Sequence, residues 1–226
     1  MATLHINLGD VASGKSSGIR NLDPSTTVII QGVDRGLPIH KGSAKYNKDA
    51  KNLFVIKKVA DLKLLLSMIN EKRPEIKTIV VDDMHYIFGS EFGKSAKTKG
   101  YDKYTDYFVD YYTLFNELKG MRKDLFIHML WHVEPVLSGN KIIKYEPKFI
   151  GSAIKKYYNP LGLADVITFS KSIFDDEGKP TYGYFTQSFI DDNDIEYIAR
   201  SYEGMFKTNR VDNDLKLIEE AYINYI

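Results

Sequence analysis

Apolar residues in this chain fall into two kinds of run. Short, nearly continuous runs rich in β-branched residues occur at Thr3–Leu8, Thr26–Ile30, Thr78–Val81, Leu125–Trp131, Ala164–Phe169 and Tyr182–Thr186. Between them, apolar positions repeat at helical spacing. Leu62, Leu65, Leu66 and Ile69 do so within Val59–Glu71, and Phe108, Tyr111, Tyr112, Phe115 and Leu118 within Tyr104–Met121; Asp212–Tyr225 reads as a C-terminal amphipathic helix. Continuous apolar strands are those buried on both faces. Their alternation with helices predicts an α/β fold, a mostly parallel central sheet flanked by helices. From Val136 onward the pattern changes. Pro135, Gly139 and Asn140 punctuate it, and C-terminal antiparallel hairpin strands are expected there.

No repeat, low-complexity tract or Pro/Gly/Ser-rich linker divides the 226 residues, so one domain over residues 1–226 is expected. Lys+Arg number 31 and Asp+Glu 30, a net charge of +1. This excludes a nucleic-acid binder that is basic throughout but leaves room for a local basic patch. The chain has no cysteine, which excludes disulfides, thiolate zinc sites and a cysteine nucleophile. No apolar run approaches the roughly 18 residues of a membrane span, and Met1–Ile6 lacks the basic start and apolar stretch of a signal peptide. The expected location is the cytoplasm, with no membrane partner.

The strongest chemical signal is Gly9-Asp10-Val11-Ala12-Ser13-Gly14-Lys15-Ser16, a full match to G-x-x-x-x-G-K-[ST]. A β-like run precedes it and a short helical candidate, Lys15–Asn21, follows. That order lets successive backbone N–H groups face phosphate oxygens, with a helix N-terminus behind them. Lys15 is expected on the β- and γ-phosphates, the Ser16 hydroxyl on Mg²⁺ and Ser17 near the α-phosphate.

Thr78–Val81 ends on two aspartates. Asp82 is the expected partner of the Mg²⁺ shell, and Asp83 is a candidate to orient the attacking water. Asp34, after the second strand, competes for the water because strand C-termini converge on one sheet edge. The next strand ends in Trp131-His132-Val133-Glu134-Pro135. Trp131 is read as core, and His132 and Glu134 as candidates to sense the γ-phosphate. His128, His132 and Glu134 do not make a closed ligand set, so no metal site is expected of them.

The order of these motifs resembles the RecA-type ATPase core. More closely, it is similar to the small phage RecA-like P-loop ATPases of the Sak-type single-strand annealing and recombination group. The resemblance is carried by Gly9–Ser16, Val33–Gly36, Val80–Asp83, His132-Val133-Glu134, Tyr184–Gln187 and Ala199–Phe206, and it spans roughly residues 3–206. The chain departs from the family pattern at Asp83, where Ser is common, and in having an extra residue between His132 and Glu134. The resemblance implies ATP and Mg²⁺ as cofactors, DNA-stimulated ATP hydrolysis, ring or filament assembly of copies, and single-stranded DNA as partner, with a single-strand DNA-binding protein as a further one. It also implies a basic residue that crosses to a neighbour's γ-phosphate. Arg200 matches that position best, with Lys207 and Arg210 in reserve.

Such cores bind single strands on loops after core strands. The first here is Gly89–Lys103, with Lys94, Lys97, Lys99, Tyr101 and Lys103, and with Phe92 and Tyr104 interleaved. The second is Val136–Lys144, with Lys141 and Lys144; Lys148, Lys155 and Lys156 with Tyr157 and Tyr158 form a further patch. Two other readings stay open: a P-loop kinase of a nucleotide or small molecule, and an ATP-dependent assembly module with little hydrolysis. The few, scattered arginines count against an arginine-rich kinase lid.

Overall fold

Each apolar run becomes a strand, and the strands build one continuous sheet. The computed structural model describes residues 1–95, 102–150, 156–174 and 176–226. Five strands lie in its parallel part: β1 (Thr3–Gly9), β2 (Thr27–Gln31), β3 (Leu53–Val55), β4 (Thr78–Asp82) and the first half of β5 (Phe126–Ser138). After β6 (Lys141–Pro147), a sixth, β7 (Val166–Phe174), pairs parallel to β1, giving the order β7-β1-β5-β4-β2-β3. β8 (Pro180–Phe185) and β11 (Arg210–Asp212) extend the sheet antiparallel beyond β7.

Side-chain alternation sorts the core into two faces. Leu4, Ile6 and Leu8 of β1, Ile79 and Val81 of β4, and Ile127, Met129 and Trp131 of β5 form one face. It is covered by α2 (Val59–Lys72), α3 (Met84–Ser95) and α4 (Asp102–Gly120). The intervening Ile29, Val80, Phe126 and Leu130 face the other layer. There they meet a six-residue 3-10 helix (Ser16–Asn21), Tyr46 behind the short α1 (Gly42–Lys45), and the C-terminal α5 (Leu215–Tyr225). Burial on both faces is why these strands read as unbroken apolar runs. Each fully buried Leu or Ile contributes about 1.5–3 kcal/mol.

β5 outlasts the parallel sheet. Its ladder with β1 ends where His132 pairs with Gly9, and Val133–Ser138 turns through Gly139-Asn140 to pair antiparallel with β6. Gly139 takes φ +59, as such a two-residue turn requires. β9 (Phe189–Ile190) and β10 (Glu196–Tyr197) line the outer edge of β6. Mostly parallel centre, flanking helices and antiparallel C-terminal strands all agree with the sequence pattern.

Three elements differ from it. β3 is too short to show alternation. The expected Gly89–Lys103 loop begins as helix, because α3 runs through Gly89 and Gly93 to Ser95. Met84, Ile87 and Phe88 are its buried apolar positions, and Phe92 packs its ring 5.8 Å from Tyr104 and 5.4 Å from Tyr107. The two glycines disguised a helical period that the apolar residues keep. Finally, the short helical stretch expected over Lys15–Asn21 is present at Ser16–Asn21 but is 3-10 rather than α, so little macrodipole stands behind the loop. Among the described residues, no helix is long and apolar enough to cross a membrane.

Candidate functional site

Parallel pairing brings the strand C-termini to one edge. Gly9 is in register with His132, and Asp82 with both Leu130 and Gln31. The crevice outside such an edge is where ligands bind in open α/β sheets. Here it is a cleft of about 520 Å³ lined by Val11–Ser17 together with Arg35, Gly36, Pro38, His132 and Tyr182.

The loop from Gly9 to Ser17 is shaped by close approaches. A Cβ on Gly9 would stand 2.5 Å from Ser13 Oγ and 2.9 Å from the Ser170 backbone oxygen, so only glycine fits there. Gly14 takes φ +90, which other residues rarely adopt, and Ala12 also holds a positive φ of 60. Val11 is exposed, and its N–H donates to Asp10 Oδ1 at 2.7 Å. Lys15 is buried and folds back on the loop, its Nζ donating to the carbonyls of Gly9 (2.9 Å) and Asp10 (2.6 Å). Burial lowers its pKa to about 8 against the pull of Asp83, Asp82 and Asp10. Ser17 Oγ donates to the Gly14 carbonyl at 2.8 Å.

Ser16 Oγ donates to Asp82 Oδ1 at 2.8 Å, tying the loop to the end of β4. Asp82 is wholly buried, and burial together with the neighbouring Asp83 raises its pKa. Its second oxygen, Oδ2, has no hydrogen-bond partner among the described residues; the nearest cation is Arg35 at 3.5 Å. A buried carboxylate oxygen left open beside a serine hydroxyl is a donor set that suits a hard, oxygen-loving cation such as Mg²⁺.

Asp83 takes φ 60 at the junction of β4 and α3. Its Oδ1 accepts from His132 Nε2 at 2.9 Å, and its Oδ2 meets Arg35 at 2.7 Å. Burial opposes its ionisation, but the His132 hydrogen bond and Arg35 outweigh that, so its pKa falls below the ordinary value. His85 packs its ring 4.4 Å from that of His132, and burial lowers its pKa to about 4.

Of the residues singled out from sequence, the structure gathers Lys15, Ser16, Asp82, Asp83 and His132. Asp34 is exposed and does not line the cleft; its neighbour Arg35 reaches in instead. Glu134 lies two residues past His132, opposite Glu146 in the β5–β6 ladder, outside the cleft lining. Arg200 pairs by its backbone with Ile167, and its guanidinium donates to the carbonyls of Leu161 and Ala164. It is thus committed within this chain toward the opposite end of β7. Lys144 is ion-paired with Glu146 at 2.5 Å, while Lys141 stands exposed at the hairpin tip. Lys94 falls within α3 and Lys103 within α4, whereas Lys97, Lys99, Tyr101 and Lys155 lie outside the described residues.

Three contributors were missed. Arg35 was visible as a charge, but choosing it over Asp34 requires the loop's path. His85 carries no sequence signal beyond its nearness to Asp83. Asn213, 199 residues from Gly14, donates Nδ2 to the Gly14 carbonyl at 2.7 Å, and its Oδ1 accepts from Arg20 at 3.1 Å. Nothing in the sequence pattern marks it.

Together the fold and site define a mixed α/β protein with a phosphate-loop sequence set against two strand-end aspartates. Compared with known proteins, the chain matches no family model, and no curated protein is significantly similar to it.

Proposed function

We propose that this chain is a Mg²⁺-dependent ATPase with a RecA-like core that acts on single-stranded DNA in recombination or annealing, as an assembly of like copies. The observation that carries the nucleotide part is the Ser16–Asp82 hydrogen bond, which joins the phosphate-loop hydroxyl to a buried carboxylate with one open oxygen. Those two residues would hold Mg²⁺, which would neutralise phosphate charge there. Lys15 exchanges its loop carbonyls for phosphate oxygens. Asp83, kept ionised by His132 and Arg35, accepts a hydrogen bond from the attacking water and orients it. Arg35, already at the site in the same chain, stabilises charge developing on the γ-phosphate, the role expected of Arg200.

The DNA and assembly parts rest on the motif resemblance and on the lysines of the two expected loops. Replacing Lys94, Lys97 and Lys99 together should weaken DNA binding and flatten its salt dependence.

The test is ATP hydrolysis with and without single-stranded DNA, with Lys15→Ala as control. Turnover stimulated by DNA and lost in Lys15→Ala supports the proposal. A phosphorylated acceptor in place of free phosphate points to a kinase. ATP-dependent assembly without turnover points to an assembly module. Turnover unchanged in Lys15→Ala sinks the site assignment.

A further inference from the structure

The ATPase reading leaves His85 without a role. Yet its side chain is only 9% exposed in the first turn of α3, and its Nδ1 finds no hydrogen-bond partner among the described residues. An unsatisfied buried nitrogen is destabilising, and an apolar residue there would avoid the penalty. One ligand atom each from Asp83, His85 and His132 lies within 4.8 Å of the other two. We propose that Asp83, His85 and His132 form a binding site for a divalent transition metal of the zinc type. It lies beside the phosphate loop and is separate from the Mg²⁺ position at Ser16 and Asp82.

The donor set decides the class of metal. Two imidazoles and one carboxylate suit Zn²⁺ and its neighbours, whereas Mg²⁺ and Ca²⁺ take oxygen ligands. With metal–ligand bonds of about 2.0–2.2 Å, ligand atoms around a tetrahedral ion stand roughly 3.3–3.6 Å apart. His132 Nε2 and Asp83 Oδ1, at 2.9 Å, are already closer than that. The metal would replace the proton they share and draw the His85 ligand atom in by about 1 Å. Arg35 sits on the other oxygen of Asp83, and at 46% exposure it has solvent to move into. Three protein ligands leave a fourth position open to water or a phosphate oxygen.

The site stands independently of the ATPase reading. Its ligand Asp83 is the residue which that reading assigns to the attacking water, and its ligand His132 is one of the groups that keep Asp83 ionised there, so metal occupancy and turnover exclude each other.

The test uses the full, nucleotide-free chain and Co²⁺ as a spectroscopic probe. Expected are visible absorption bands of four- or five-coordinate intensity, abolished by one equivalent of Zn²⁺ and unaffected by excess Mg²⁺. His85→Phe, which keeps a packed ring, should weaken Co²⁺ binding by more than the roughly 10–100-fold that an outer-shell change costs. The exposed His40→Gln should bind as the parent does. Bands that survive His85→Phe, or vanish in His40→Gln, overturn the proposal. X-ray absorption of the Zn²⁺-loaded parent protein needs no variant. Two imidazoles in the shell support the site, and an all-oxygen shell overturns it. Metal binding in a protein that does not turn over ATP would leave this site standing and remove the ATPase. Turnover with a silent Co²⁺ titration would do the reverse.

Discussion

Stability should fall as pH drops below about 6.5, and one buried histidine should account for a measurable share. His5 is 0% exposed, in the middle of β1. Its Nδ1 lies 2.8 Å from His128 Nδ1, and its Nε2 lies 2.8 Å from Thr168 Oγ1. His128 Nε2 in turn faces Glu219 Oε1 at 3.0 Å. Thr168 Oγ1 donates to Asn7 Oδ1 at 3.1 Å, so its hydroxyl oxygen accepts from His5 Nε2–H, and His5 Nδ1 accepts from His128 Nδ1–H. A further proton on His5 has no acceptor. Burial first, and His128 second, hold its pKa well below the ordinary value.

The sign follows from where the proton goes. Above about 6.5 both folded and unfolded chains carry neutral His5, and nothing is lost. Below it the unfolded chain takes a proton that the folded chain refuses. Each pH unit then costs about 1.4 kcal/mol, down to the folded-state pKa. The loss by about pH 5 is bounded at about 2 kcal/mol, set against a typical stability of roughly 5–15 kcal/mol. His85, with a folded pKa of about 4, titrates in the same window, so the measurement must be a difference. Urea unfolding across this range should show a steeper pH dependence for the parent than for His5→Gln, by close to one proton. Parallel curves for the two proteins would refute the assignment of His5 as buried and neutral.

Other outcomes follow from single contacts. Asn213→Ala removes a 2%-exposed side chain and leaves the Gly14 carbonyl without its amide donor. It should cost about 1–3 kcal/mol in urea unfolding and weaken the proposed nucleotide binding, and a loss under about 0.5 kcal/mol would dismiss Asn213 as a clamp on the loop. Trp131, the sole tryptophan, is fully buried among Tyr111, Phe115 and Phe149, with Nε1 donating to the Lys148 carbonyl at 2.9 Å. Trp131→Ala should cost about 3–5 kcal/mol, and the parent's emission should be blue-shifted until unfolding; water-like emission from the native protein would contradict this burial. Gly9→Ala should destabilise by about 1–3 kcal/mol through its clash with Ser170 and abolish nucleotide binding, and a variant of parental stability would show that the loop has room there.

The sequence by itself determined the alternation of buried strands and helices, because burial on both faces forces continuous apolar runs. It also marked Gly9–Ser16 and the Asp82-Asp83 pair as candidate site residues, because a phosphate-loop pattern is defined by residue type and spacing, and the fold joins the two through Ser16 and Asp82. The helical period of Met84, Ile87 and Phe88 was present too, though Gly89 and Gly93 concealed it. Tertiary structure alone decided which strand ends meet. Parallel register sets His132 beside Gly9, and the path of the loop after β2 brings in Arg35 rather than Asp34. It alone placed Asn213 under Gly14 and Arg200 on the carbonyls of Leu161 and Ala164. It also set His85 edge-on against His132 and drew His5, His128 and Glu219 into one hydrogen-bonded line. These pairings are long-range, and a hydrogen bond between residues far apart in the chain leaves no local period to read. Their geometry exists only once the sheet has set its strand order.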